Sequence, residues 1–209
     1  MSNFFNKHYK RYDAWYDENK FVYMSELEAI KKVMPQAGYG LEVGVGSGRF
    51  AAPLGVSVGV DQSEKMLGLA RKRGVDVRLG TGEALPFKDS IFDYVLIIVT
   101  LCFVQDAEKV IAESMRVLKP EGKVIIGIVD KESFLGEFYQ KNGSIFYDHA
   151  RFFSVGDIER ILKAVEFSQF SYYQTIFNYP DKIKTVEKPL KGFGKGGFVV
   201  ITARNKNKV

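Results

Sequence analysis

The chain has 209 residues, 46% of them hydrophobic and 26% charged, a balance that supports one sizeable α/β core and excludes a disordered chain. The longest apolar run, Tyr94 to Val104, is 11 residues long, well short of the ~20 a membrane-spanning helix needs. The first residues lack the apolar core of a signal peptide and Cys102 is the only cysteine, so the expectation is a cytoplasmic protein without disulfides or a membrane partner. Of the net charge of +5, two units come from Lys206 and Lys208 near the C-terminus, and no Arg-rich cluster occurs elsewhere, so nucleic acid is not the expected partner.

In chain order, residues 2–34 read as one or two polar-aromatic helices stopped by Pro35. Gly40 to Gly44 forms a first strand, and residues 48–52 form a brief helix before Pro53 and Gly55. Val56 to Val60 is a second strand; Ser63 caps a helix reaching Arg73, and Gly74 closes it. Val75, Val77 and Leu79 alternate as a third strand. Phe92 to Val99 is apolar nearly throughout, as a strand covered on both faces requires. Asp106 caps a helix with Ile111, Met115 and Leu118 on one face, which Pro120 ends. Lys123 to Val129 is a fifth strand, Val155 to Val165 a helix, and Phe167 to Phe177 and Gly197 to Ala203 are late strands. The alternation predicts an α/β doubly wound, seven-stranded, mostly parallel sheet with one antiparallel late strand and helices on both faces. No repeat or linker divides the chain, so residues 1–209 read as a single domain.

The segment Leu41-Glu42-Val43-Gly44-Val45-Gly46-Ser47-Gly48 carries the most chemistry. An acidic residue ends a short strand, and glycines at alternate positions let a ligand approach the backbone. The amides at the start of the next helix can face an anion. A dinucleotide fingerprint needs its third glycine at position 49, which here is Arg49. Downstream, Asp61 ends the second strand, where a carboxylate can accept from both hydroxyls of a ribose. Then come Gly80-Thr81-Gly82-Glu83-Ala84-Leu85-Pro86-Phe87 and Leu118-Lys119-Pro120-Glu121-Gly122.

With these motifs, the stretch from Gly40 to Asp130 resembles the class I S-adenosylmethionine-dependent methyltransferases, in the branch that methylates small molecules. The resemblance implies a Rossmann-like fold and methyl transfer from S-adenosylmethionine, with S-adenosylhomocysteine as product. It implies that Gly44, Gly46 and Gly48 line the methionine portion and that Glu42 supports the same region. Asp61 would bind the ribose, Gln62 would lie against the adenine, and Gly82 and Glu83 would edge its pocket. Val99 and Thr100 would sit near the sulfonium. Thr81 stands where the family often has an Asp for the adenine amino group, and its hydroxyl can accept more weakly. An Asn/Asp-Pro-Pro-aromatic stretch after the fourth strand would mark DNA amino-group methylation; this chain has Val99-Thr100-Leu101-Cys102.

Because the sulfonium already activates the methyl group, the protein mainly aligns the reactants and excludes water. The expected acceptor is the nitrogen or oxygen of a small molecule, with a lean towards an amine because aromatic segments can house a cation. Those segments supply Tyr9, Tyr12, Trp15 and Tyr16 from an N-terminal helical lid (1–34), and Phe138, Tyr139, Tyr147, His149 and Arg151 from an acceptor-side insertion (131–165). Tyr147 and His149 are the candidate catalytic residues. Residues 204–209 read as a flexible basic tail, and Gly192 to Gly197 as a flexible connection. No metal site is expected. Lys182, Lys184, Lys188, Lys191 and Lys195 motivate the alternative of an RNA or protein methyltransferase; a non-catalytic S-adenosylmethionine-binding module is the other alternative.

Overall fold

The computed structural model describes residues 2–142 and 144–206. Helices α1 (Ser2–Glu18) and α2 (Lys20–Lys31) precede the alternating part. That part comprises β1 (Gly40–Val43), α3 (Ala51–Leu54), β2 (Val58–Asp61), α4 (Glu64–Lys72), β3 (Asp76–Leu79), β4 (Phe92–Ile98), α5 (Ala107–Val117) and β5 (Leu118–Val129). Helices α6 (Phe134–Asn142) and α7 (Val155–Ala164) follow, then β6 (Phe167–Thr175), β7 (Leu190–Lys191) and β8 (Phe198–Asn205). The caps read from the sequence form: the Ser63 side chain accepts from Met66 N, and that of Asp106 from Lys109 N.

The sheet order is β3-β2-β1-β4-β5-β8-β6-β7, with β1 to β5 mutually parallel and β8 antiparallel to both β5 and β6. The sheet thus has eight strands and not the expected seven, because the connection between the two long late strands contributes the two-residue β7 against β6. Its reversal of winding between β1 and β4 opens a crevice outside the carboxyl ends of these strands. The side-chain period of two along β4 sends Val95 and Ile97 into a core under α5 and α7, and Leu96 and Ile98 into a core under α2 and α4. Both faces are therefore covered, which explains the unbroken apolar run.

Four further differences follow. Strand β5 begins at Leu118, paired with Phe92, so the Leu118–Gly122 segment is the irregular start of a strand, with Glu121 left-handed at φ 61°. Helix α6 has no counterpart in the reading of the sequence. The tail starts later than residue 204, because Arg204 and Asn205 belong to β8 and Arg204 Nη1 donates to Glu121 O; Lys208 lies outside the described residues. The glycine-rich connection is pinned, since Gln174 Oε1 accepts from Lys195 N and Gly196 N. Among the described residues, no helix is long and apolar enough to cross a membrane.

Candidate active site

The turn after β1 is built by its glycines. Gly44 adopts φ 70°, and a Cβ there would lie 2.3 Å from Thr100 Cγ2, so the backbone and the Thr100 side chain meet as they could not with any other residue. Gly46, at φ 51°, donates its N–H to Asp61 Oδ2 (2.9 Å), and Asp61 Oδ1 accepts from Ser63 N (2.8 Å). Burial raises the Asp61 pKa, and backbone hydrogen bonds from Ser63, Gly46 and Gln62 counter part of that rise. Below the turn, Glu42 is 1% exposed; it accepts from the Ala51 amide, while its Oε2 has no partner among the described residues. Burial holds the Glu42 carboxyl well above the usual carboxylate range.

A cleft of about 620 Å³ runs along this turn. Of the sequence-predicted cofactor residues it gathers Gly44, Gly46, Asp61, Gln62, Gly82, Val99 and Thr100. Glu42, Gly48, Thr81 and Glu83 are not on its walls. Gly48 instead faces α4, where a Cβ would lie 3.1 Å from Ala70. Thr81 bridges to Ala84, and Glu83 Oε1 accepts from Gln105 N at 3.0 Å. Ser2, Phe5 and Tyr12 of α1 complete the cleft, so this helix covers it.

A second cavity, of about 1190 Å³, meets the first at Tyr12, Val99 and Phe103. Helix α1 contributes Tyr12, Trp15 and Tyr16; α6 contributes Phe138 and Tyr139; Phe146 and Tyr147 follow from the turn beyond. The Tyr139 and Tyr147 rings stack at 4.4 Å, Tyr12 meets Phe146 edge-on at 5.3 Å, and Tyr16 OH donates to Tyr12 OH at 3.3 Å. Burial raises the pKa of Tyr12, Tyr16, Tyr139 and Tyr147, keeping these phenols protonated. Val99 borders both cavities with a left-handed backbone (φ 49°), a costly conformation for a β-branched residue and one that concentrates at functional sites.

Of the sequence-predicted acceptor residues, Tyr147 lines this cavity and His149 does not. His149 is exposed and rests edge-on against Phe4 at 5.4 Å. Tyr9 and Arg151 are also outside it, the latter stacked over Phe153 at 5.0 Å. The acceptor-side wall ends before α7, which packs beneath the sheet in the α5 core; Gly143 lies outside the described residues. None of the five late lysines lines either cavity. Among the described residues, no cluster of three or more His, Cys, Asp or Glu could hold a metal ion.

One wall residue went unread in the sequence. Glu26 of α2 is 5% exposed and faces this aromatic cavity. It shares the apolar stripe of Val22, Ala29, Ile30 and Val33, so a carboxylate at core spacing was the available signal.

A glycine turn against Asp61, at the switch point of a doubly wound sheet, with a second cavity beside it at the end of the fourth strand, defines a class I methyltransferase architecture. The chain belongs to the S-adenosylmethionine-dependent methyltransferases. Residues 41–126 match the family described as "Methyltransferase domain". A crystal structure from Thermotoga maritima, described as a SAM-dependent methyltransferase and "possible histamine N-methyltransferase", is 44% identical, with TM-score 0.96 over 99% of this chain and 100% of that one. An uncharacterised protein of Methanocaldococcus jannaschii is 47% identical over 96% of this chain and 98% of its own length. A demethylmenaquinone methyltransferase of Halalkalibacterium halodurans is 35% identical over 58% of this chain and 56% of its own length.

Proposed function

We propose that this enzyme transfers the methyl group of S-adenosylmethionine to a nitrogen of a small aromatic amine held in the cavity beyond Val99. The observation that carries this reading is the aromatic-walled cavity joined to the cleft at Tyr12, Val99 and Phe103. Aromatic faces attract a cationic amine, and a cavity of this size admits a small ring. The description of the Thermotoga maritima relative as a possible histamine N-methyltransferase points the same way.

The residues of the cleft fit the cofactor. Gly46 leaves open the space its Cβ would fill, where only the Gly44 carbonyl oxygen comes within 4 Å, and the Asp61 carboxylate stands on the cleft wall with one acceptor position left over for a ribose hydroxyl. Once bound, S-adenosylmethionine supplies an activated methyl group. Asp61 holds the ribose, Gln62 and Gly82 flank the adenine, and Gly44 and Gly46 pass the methionine portion toward Val99 and Thr100. Glu42 acts from below by fixing the start of α3 through the Ala51 amide. Tyr12, common to both cavities, orients the acceptor against the cleft.

Changing Asp61→Ala should weaken S-adenosylhomocysteine binding by about tenfold or more in calorimetry, since charge-assisted bonds to the ribose are lost. It should also lower stability by roughly 1–2 kcal/mol, because Gly46 N and Ser63 N lose their acceptor. An unchanged dissociation constant would confine Asp61 to shaping the turn.

The function is tested with labelled S-adenosylmethionine against four acceptor sets: aromatic amines including histamine, phenols, a demethylmenaquinol and RNA. Label should enter the amines. Label entering only a phenol, the quinol carbon or RNA overturns the reading, and cofactor binding without transfer to any of them would leave a sensor.

A further inference from the structure

We propose that Glu26 selects the acceptor, by pairing its carboxylate with a positively charged nitrogen (an ammonium or imidazolium) inside the aromatic cavity, a nitrogen other than the one methylated, which must keep its lone pair. The proposal rests on the reading of the enzyme as an amine methyltransferase and names the residue that makes it one.

Glu26 differs from the other buried carboxylates near the site. Glu42 accepts from the Ala51 amide and Asp61 from three amides, whereas Glu26 accepts no hydrogen bond and makes no ion pair among the described residues. A carboxylate withdrawn from water without a partner is costly, and folded proteins keep such groups where a ligand supplies the partner. Its surroundings specify that ligand's charge. The groups facing Glu26 are Tyr12 and Tyr16 of α1, Tyr23 of its own helix, Tyr139 of α6 and Tyr147, all phenols that burial keeps neutral. Arg11 and Glu18 also border the cavity, and neither pairs with Glu26. Arg49, the nearby cation of the glycine turn, is already taken by Asp13 and Asp17.

One buried acid ringed by phenols and by the Trp15 ring is a cation receptor, in which the carboxylate supplies the charge and the ring faces supply the quadrupole. A neutral phenol or quinol would leave the acid unanswered, and an anionic acceptor would be repelled. Burial pushes the Glu26 carboxyl up to about 8, so with no cation beside it this group is largely protonated near neutral pH. A cationic guest favours the ionised form. Its arrival therefore drives one proton from Glu26 into solvent, a signature that a packing role would not produce.

The test is titration calorimetry of the S-adenosylhomocysteine complex at pH 7 with 2-phenylethylammonium and its neutral counterpart 2-phenylethanol. Each titration is run in phosphate and in Tris, whose different ionisation enthalpies report protons released. The ammonium should bind with release of about one proton. Glu26→Gln should abolish that release and weaken the ammonium by about thirtyfold or more, without weakening the alcohol or S-adenosylhomocysteine. Glu26→Asp should keep the release with reduced affinity. Amine binding without proton release, or unchanged in Glu26→Gln, overturns the role of Glu26 and leaves the amine reading standing. Tighter binding of the alcohol than of the ammonium by the parent protein, with label transferred only to non-amine acceptors, overturns both.

Discussion

Glu26→Gln is expected to melt at a higher temperature than the parent protein, with a gap that widens from pH 4 to pH 8. The Glu26 carboxyl titrates at about 8 in the folded chain, against about 4.3 when exposed in the unfolded one. A carboxyl raised on folding binds its proton more tightly in the native state. It therefore costs nothing below the unfolded value, and the cost grows as pH rises towards the folded value and is complete above it. At pH 7 the linkage amounts to roughly 3 kcal/mol, or about 6–12 °C for a chain of this size. Glu42 and Asp61 are raised too and tilt the curve in the same direction, so the parent-minus-variant difference is what isolates Glu26. The phenols around it, Tyr12, Tyr16, Tyr23, Tyr139 and Tyr147, stay neutral over the range. Scanning fluorimetry of both proteins across pH 4 to 8 measures the gap. Parallel curves would mean that Glu26 is solvated in the native state. A gain in stability from removing a buried titratable group is the trade expected where function requires an unsatisfied one.

Asp13→Ala should release α1 and weaken both ligands at once. The Asp13 carboxylate accepts from Arg49 Nε (2.9 Å), Arg73 Nη2 (2.8 Å) and Ser47 Oγ (2.6 Å), clamping the helix to the glycine turn and to the end of α4. Burial works to raise its pKa, but hydrogen bonds from Arg49, Arg73 and Ser47 outweigh burial and hold it at about 2. A depressed carboxyl stabilises above its unfolded value, and that contribution fades as pH falls through 4 towards 2. Without it two guanidinium groups lose their shared partner, although Arg49 keeps Asp17, so a loss of roughly 2 kcal/mol is expected. Because α1 supplies Ser2, Phe5 and Tyr12 to the cleft and Tyr12, Trp15 and Tyr16 to the cavity, affinity for S-adenosylhomocysteine and for 2-phenylethylammonium should each fall about tenfold or more. Calorimetry gives both constants, and limited proteolysis within α1 reports its release. Unchanged affinities would show that α1 stays seated without the clamp.

The sequence made the backbone of the site readable because its constraints are local. Gly44 and Gly46 must take left-handed φ values, and Asp61 must stand at a strand end; seven of the eleven positions expected at the cofactor lie together on one cleft. Gly48 and Glu83 are in the motif yet serve packing against Ala70 and the Gln105 amide, a distinction that spacing does not carry. The acceptor side was less legible because it is assembled from α1, α2 and α6, whose relative placement no periodicity encodes. Tyr147 faces inward and His149, two residues later in the same 3₁₀ turn, faces solvent. Glu26 lies on the apolar stripe of α2 and Glu28 off it, but spacing alone does not say that a cavity lined by other elements faces the first. The extra β7 follows from two residues of a connection meeting the edge of β6, where no apolar pattern announces a strand.

Helix α1 walls both cavities through Tyr12, so a donor in the cleft and an acceptor in the cavity would share one wall. Any molecule that settles this helix from the cleft side has already met the cost of ordering Tyr12 for a molecule arriving from the other side. Donor and acceptor should therefore reinforce each other's binding by the same factor in either order of addition. A spent donor that still holds α1 down would likewise retain the methylated product, so departure of the pair, and not the transfer itself, would set the pace of turnover.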